Sequence, residues 1–372
     1  MKRIVLITLT VLLVSAIIFG GCAKPAEPTT PTEPTKPEVK PIEWRHATWD
    51  PPFDCFSVDL AAWGERLEEA TDGRMIVKFY WSESLVKMIG SFDAVAAGTA
   101  DTADVAISML PETFPIANAM CGILYAYTHQ TQEGKTYLAM QNKYKELRDE
   151  FLPTRVLWWD APPPDNLIIS RTKQVKTMED LKGMKIRMTA PELIKMYKIL
   201  GAVPVPISVT ELYHALETGI VDASSSEPNE LRLWKNYEVT KYRTDTGGTR
   251  GRGKPKLVNL TSYNNLPADI KEIFDEVTDP LEMTIFVNKH HEEFILESLQ
   301  IVLEHDKKVG NPPFYVLPEE ERERWKQLVQ PVNEELMQKL DAEGLPGKAF
   351  VEDAIAFAKE YLDPEWRGYK YD

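Results

Sequence analysis

Arg187 lies near the C-terminal end of the short apolar run Met184–Met188, and Ser224, Ser225, Ser226 and Glu227 follow the run that starts at Val221. A guanidinium at a strand end presents a rigid fork of donors that matches a carboxylate with two parallel hydrogen bonds. The same residue type in the same place also serves in surface and interdomain ion pairs, so spacing alone leaves both readings open. The Ser226 hydroxyl can bind a ligand or cap a helix. Other apolar runs end in Trp49-Asp50, Trp81-Ser82 and Ser108-Met109. Of these, Trp81 and Ser108 are candidates to line a cleft, Trp81 through a large ring with one polar handle. Tyr213 falls on a helical stretch, where core packing competes with ligand contact. Chemistry beyond binding finds no set of residues to carry it. The six histidines are scattered, and His290 and His291, adjacent on a helical stretch, diverge by about 100°. Metalloprotease, dithiol, nucleophile-elbow and phosphate-loop motifs are absent, so no catalytic residue, metal or cofactor is expected. The run Gly247–Lys254 is rich in Gly and Arg but lacks the strand and the Lys-Ser/Thr pair of a phosphate loop. It reads as a mobile loop near the cleft. Cys55 and Cys121 leave a disulfide and two free thiols equally open.

These residues need a frame. Residues 183–242 read as strand, helix, strand, helix, strand, helix. Pro191 stands at a helix start and Gly201 at its end. Ser208 and Glu211 have capping-box spacing, and Leu212, Leu216 and Ile220 line one face of the next helix. Strands over Met184–Met188, Val203–Pro206 and Val221–Ala223 put Arg187 and Ser224–Glu227 at carboxyl ends, where ligands of α/β sheets bind. The first part of the chain alternates likewise, with strands over Glu43–Thr48, Met75–Tyr80, Asp104–Ser108 and Arg155–Trp159. Helical stripes run over Phe56–Leu67, Ser91–Ala97 and Tyr137–Phe151. Such alternation predicts an α/β protein with mostly parallel sheets and crossover helices. Trp158 and Trp159 then point to opposite faces of their strand. Val258–Ser262 predicts one more strand. Pro267 opens a helical stretch to about Lys308, which Pro280 must kink or split near Asp279. Trp325, Leu328, Val332, Leu336 and Leu340 mark another helix, and Ala349–Tyr361 the last.

Four blocks, Asp180–Arg187, Gly201–Pro206, Glu211–Asp222 and Tyr237–Tyr242, resemble in order and spacing the second lobe of the extracytoplasmic solute receptors of TRAP transporters, the DctP-like family. Weaker similarity runs from about Trp44 to Leu340. The resemblance implies a two-lobed periplasmic-binding-protein fold, each lobe a mostly parallel sheet flanked by helices, with one long helix spanning both. The division expected is lobe 1 over 43–160 plus 245–280, lobe 2 with the spanning helix over 161–244 plus 281–345, and a C-terminal helix and tail over 346–372. The function implied is that of a receptor, not an enzyme. It binds a carboxylate-containing organic anion, works as a monomer and delivers its ligand to TRAP permease membrane subunits. In the family, the arginine at the place of Arg187 holds the ligand carboxylate. Leu167 stands where some relatives carry a second arginine, and the adjacent Asn166 is the donor left there. Ser226 falls where relatives have asparagine. The missing second arginine and the many aromatics point to a monocarboxylate with an apolar or aromatic body. Two other classes compete: a binding protein of an ABC importer or a sensor, and a secreted enzyme on the same scaffold.

The 372 residues suffice for two domains. Lys and Arg number 43 against 57 Asp and Glu, a net charge of −14, which argues against nucleic acid as a partner. Residues 1–21 carry Lys2-Arg3 and then the apolar run Ile4–Phe19, a secretory signal too short and wrongly flanked for an ordinary membrane span. The segment Phe19-Gly20-Gly21-Cys22 resembles a bacterial lipobox. That implies lipidation at Cys22, a membrane anchor and an extracytoplasmic location; an ordinary cleavage site or an uncleaved anchor is the other reading. Residues 22–42, mostly Pro, Thr, Glu and Lys, are expected to form a disordered tether.

Overall fold

A computed structural model of the chain describes residues 40–366 and 368–371. The signal sequence, Cys22 and the tether up to residue 39 lie outside the described residues. Two mixed sheets, each flanked by helices, build the fold. The chain opens with β1 (Ile42–Ala47), α1 (Cys55–Ala70), β2 (Met75–Tyr80), α2 (Ser91–Ala96) and β3 (Thr102–Asp104). It continues with α3 (Pro115–Cys121), α4 (Gln130–Lys143), α5 (Lys145–Asp149) and β4 (Thr154–Asp160). It then crosses to β5 (Leu167–Ser170), β6 (Lys185–Arg187), α6 (Pro191–Ile199), β7 (Val203–Val205), α7 (Leu212–Thr218), β8 (Ala223–Ser226), α8 (Pro228–Leu233) and β9 (Tyr242–Asp245). It returns as β10 (Lys254–Asn259), α9 (Leu260–Asn264) and α10 (Ala268–Val277). Last come α11 (Pro280–Val309), β11 (Tyr315–Val316), α12 (Glu319–Ala342) and α13 (Gly347–Tyr361). The first sheet has the order β2-β1-β3-β10-β4 and the second β11-β9-β5-β8-β6-β7.

Direction matters more than order here. In the first sheet only β10 runs antiparallel, between β3 and β4. In the second only β5 does, between β8 and β9. Each reversed strand therefore begins at the edge where its neighbours end. Residues 161–166 lead from the end of β4 to the start of β5, and residues 246–253 lead from the end of β9 to the start of β10. Two connections this short require the carboxyl edges of the two sheets to face each other, with the crossings between them.

The cores follow from residue type. Trp158 packs with Trp63 and Phe274 on one face of the first sheet, and Trp159 with Tyr137 and Phe151 on the other. The expected opposition of the two rings is what the strand shows. Leu60, Trp63 and Leu67 of α1 are fully buried, each leucine contributing about 1.5–3 kcal/mol relative to exposure. Asp54 caps α1 by accepting from Phe56 N at 3.1 Å. The stretch around Pro280 is split as expected. Asp279 caps α11 through Leu281 N and Glu282 N at 3.0 and 2.9 Å, and Pro280 takes the first turn, where it has no hydrogen bond to lose. The helix α11 carries Met283 and Val287 in the core of lobe 1 and Val302 in that of lobe 2, so it spans both. No helix among the described residues is long and apolar enough to cross a membrane.

Several local expectations are corrected. β3 stops at Asp104, and Ile107–Met109 is a 3₁₀ turn. The three serines do not follow a strand; they are the strand β8, buried and paired with β5. The stripe over Tyr137–Phe151 is two helices broken at Tyr144, although Tyr137, Met140, Tyr144, Leu147 and Phe151 are all buried. Ile220 and Leu328 are exposed; in α12 the buried position is Val329. Ser208 caps a 3₁₀ turn rather than α7. The strand expected over Val258–Ser262 is β10, which starts at Lys254 and gives way to α9 at Leu260. The loop before it is no mobile excursion. Thr246, Gly248, Thr249, Arg250 and Gly251 are buried, and backbone bonds join Tyr125 to Thr249, Asp165 to Arg250 and Gly251 to Cys121. Cys55 and Cys121 are free and buried.

Candidate functional site

The carboxyl edge of the second sheet gathers three of the residues singled out from the sequence. Arg187 ends β6, Ser226 ends β8, and Asn166 precedes β5, whose first residue, Leu167, pairs with Ser226. All three are buried. Arg187 Nε donates to Ile207 O at 2.9 Å, and no ion pair among the described residues engages the guanidinium. The rest of its fork is therefore open, where an arginine serving a structural ion pair would be closed. Ser226 Oγ donates to Glu230 Oε2 at 2.9 Å; the position before α8 belongs to Glu227, so Ser226 is not its cap. Asn166 O accepts from Thr246 N at 2.7 Å and from Thr246 Oγ1 at 3.0 Å, while its Oδ1 is buried without a partner.

The other candidates are dispersed. Trp81 lies beyond β2 at the edge of the first sheet, half-buried and stacked on Phe79 at 4.9 Å. Ser108 is exposed on its 3₁₀ turn. Tyr213 stands on the outer face of α7, half-exposed, with its hydroxyl 3.2 Å from Glu238 Oε2. It is neither core nor part of the facing edges.

The sequence reading missed the charges. At the edge of the first sheet, Lys256 Nζ lies 2.8 Å from Asp104 Oδ1 and also meets Asp160. Lys254 Nζ meets Asp50 and, at 3.1 Å, Asp104 Oδ2, under the rings of Trp49 and Phe56. Burial pushes Asp104 up, but the two lysines together outweigh it and hold the carboxyl well below the usual range. Burial pushes Asp50 up to about 6 against the pull of Lys254. Burial also keeps His46 neutral, although Asp104 is 3.3 Å away. Across the gap, Arg252 reaches Glu227 Oε1 at 2.5 Å and Glu230 Oε1 at 3.5 Å, with burial raising Glu227 and Arg252 opposing it. The one signal that could have found the lysines is their alternation in Lys254-Pro255-Lys256, which puts both on one face of the strand. No group of three or more His, Cys, Asp or Glu positioned for a metal is present among the described residues; His290 and His291 instead share Asp59.

This geometry meets a sequence match. The family described as bacterial extracellular solute-binding protein, family 7, the DctP family, matches residues 51–340. The chain belongs to this family. As a family 7 protein it is similar to the C4-dicarboxylate-binding periplasmic protein DctP of Rhodobacter capsulatus, 29% identical over 47% of this chain and 51% of that one. It is also similar to a solute-binding protein of Roseobacter denitrificans, 27% identical over 63% of this chain and 70% of that one. The chain thus aligns with about half the length of the first of these. A TRAP periplasmic solute binding protein of Desulfovibrio salexigens superposes with a TM-score of 0.78 at 23% identity, covering 88% of this chain and 99% of that one. A TRAP solute binding protein of Rhodoferax ferrireducens, solved with copurified benzoate, superposes at 0.76 and 20% identity over 86% and 98%. The two-lobed α/β fold expected from the four blocks is the fold of these two structures.

Proposed function

We propose that this chain is an extracytoplasmic receptor for a carboxylate-containing organic anion and delivers it to the membrane subunits of a TRAP permease. The observation that carries the reading is the open fork of Arg187 at an edge where every other nearby cation but one is ion-paired at hydrogen-bond distance. The ligand enters between the facing edges, its carboxylate meets Arg187, and hinge closure about the two crossings and α11 buries the pair, where the interaction strengthens. Asn166 and Ser226 stand beside that fork; Trp81 and Ser108 contribute from the opposite rim, and Tyr213 has no part. The chain acts as a monomer, without cofactor or metal, and turns nothing over. Cys22 carries the lipid that holds it to the membrane. The family relationship favours a TRAP partner over an ABC importer.

The test is a thermal-shift panel of aliphatic, aromatic and sugar acids, with product analysis on each stabilising compound. Stabilisation without turnover is expected, and turnover would make the chain an enzyme. For the acid found, Arg187→Lys should weaken binding by about 1.5–3 kcal/mol, the loss of a charged hydrogen bond, and Arg187→Ala by more. Unchanged affinity in Arg187→Ala would remove the carboxylate site from Arg187. Metabolic palmitate labelling should disappear in Cys22→Ser; label that persists rules out this anchor. Light scattering of the mature chain checks the monomer.

A further inference from the structure

Among the buried polar atoms at the facing edges that have no hydrogen-bond partner among the described residues are Asn166 Oδ1 and Arg250 Nε. Arg250 is 5% exposed. Its ion pair among the described residues is with Glu192 Oε2, 3.9 Å from Nε, beyond hydrogen-bond reach. Its backbone is fixed instead. Arg250 O accepts from Asp165 N at 3.1 Å, and the neighbouring Thr249 N donates to Asp165 O at 2.8 Å. Main-chain bonds thus fix the backbone of Arg250, while its guanidinium has no hydrogen bond among the described residues. The other cations of the crossing and of β10 are occupied, Arg252 by Glu227 and Glu230, and Lys254 and Lys256 by three aspartates. Among the described residues of this region, Arg187 and Arg250 are the only cations with no carboxylate within 3.5 Å. Both lie close enough to Asp165 to act on its carboxyl, so they belong to one neighbourhood although they come from different segments. A guanidinium buried without hydrogen bonds is costly, and a ligand oxygen would offset that cost.

We propose that Arg250 is a second ligand contact, and that the ligand is a hydroxycarboxylate. This rests on the receptor reading above. Arg187 takes the carboxylate. A hydroxyl accepts from Arg250 and donates to Asn166 Oδ1, satisfying both orphaned atoms at once. An acid without the hydroxyl leaves them buried and unpaired on closure, which is the kind of mismatch that polar sites reject most strongly.

Matched pairs decide it: propionate and lactate, phenylacetate and mandelate, hexanoate and gluconate, titrated calorimetrically against the mature chain. In the wild type the hydroxylated member of a binding pair should bind at least tenfold more tightly. Arg250→Gln should erase that advantage while sparing the plain acid. Glu192→Gln, which removes the only ion-pair partner of Arg250 among the described residues, should retain it. Should Arg250→Gln fail to fold, Arg250→Lys keeps the charge without the fork and should lose most of the advantage. A hydroxyl advantage that survives replacement of Arg250 overturns the proposal. So does its loss in Glu192→Gln, which would make Arg250 an ion-pair residue tied to α6. Binding that ignores the hydroxyl overturns this proposal alone, whereas binding of no acid overturns the receptor reading with it.

Discussion

Glu133 of α4 is buried among Tyr137, Cys121, Arg250 and Arg252, and burial pushes its carboxyl up to about 8 from an ordinary 4.5. Its Oε1 accepts from Tyr137 Oη and Arg252 N, and its Oε2 has no partner. The folded state therefore keeps a proton that the unfolded chain releases above about pH 4.5. Stability from this group is complete below that value and is lost as the pH rises through about 8. Glu133→Gln keeps the accepting oxygen and removes the titration. Its melting temperature should match the wild type near pH 5 and exceed it increasingly toward pH 9; parallel profiles would mean that Glu133 is ionised in the fold. This residue was invisible in the sequence because a glutamate on a helix is by default a solvated one. Arg187 was singled out by the resemblance of the block Asp180–Arg187, since an arginine at the end of an apolar run by itself also fits a surface or interdomain ion pair. Arg250 was not, since glycine-rich runs have no periodicity and read as loose chain. Its burial comes from backbone bonds to Asp165 and from Gly248, whose φ of +87° lets the chain pass against Tyr127 O.

Asn288 of α11 is fully buried and ties that helix to the end of β4. Its Oδ1 accepts from Ala161 N at 2.9 Å, and its Nδ2 donates to Trp159 O at 3.2 Å and Thr284 O at 2.7 Å. The bond lies where the chain leaves lobe 1, so it fixes the spanning helix to the first crossing. Asn288→Ala leaves at least one buried amide and one carbonyl unpaired, and should lower unfolding free energy by about 2–6 kcal/mol at ~1–3 for each group. Urea denaturation with an unchanged slope checks it; a cost below 1 kcal/mol would mean that water replaces the amide. At this scale most of the fold could be read in advance, because helix and strand periods differ and proline and glycine punctuate them. Ser224–Ser226 pair as a strand because β5 and β6 lie on either side of them, and tertiary neighbours of that kind override a polar run's weak preference.

Lobe 1 is not a continuous piece of chain. Its sheet places β10 between β3 and β4, with Leu257 paired to both Ala103 and Val156. A chain ending at residue 245 has every other strand of this sheet but lacks that one. Without it β3 and β4 present open edges and buried apolar faces, so the 40–245 fragment should show no cooperative urea transition by circular dichroism; a sharp one would show that lobe 1 closes without β10. The alternation of strands announced two sheets but not this insertion, because pairing partners carry no local signature; the expectation that lobe 1 joins 43–160 with 245–280 came from the family resemblance alone. The insertion also sets an order of events. β10 is synthesised only after all of the second sheet except its edge strand β11, so the part of the molecule made first is among the last to be completed. Contacts of such long sequence separation make for slow folding. During that interval the early strands are the segments most exposed to pairing with other copies of themselves.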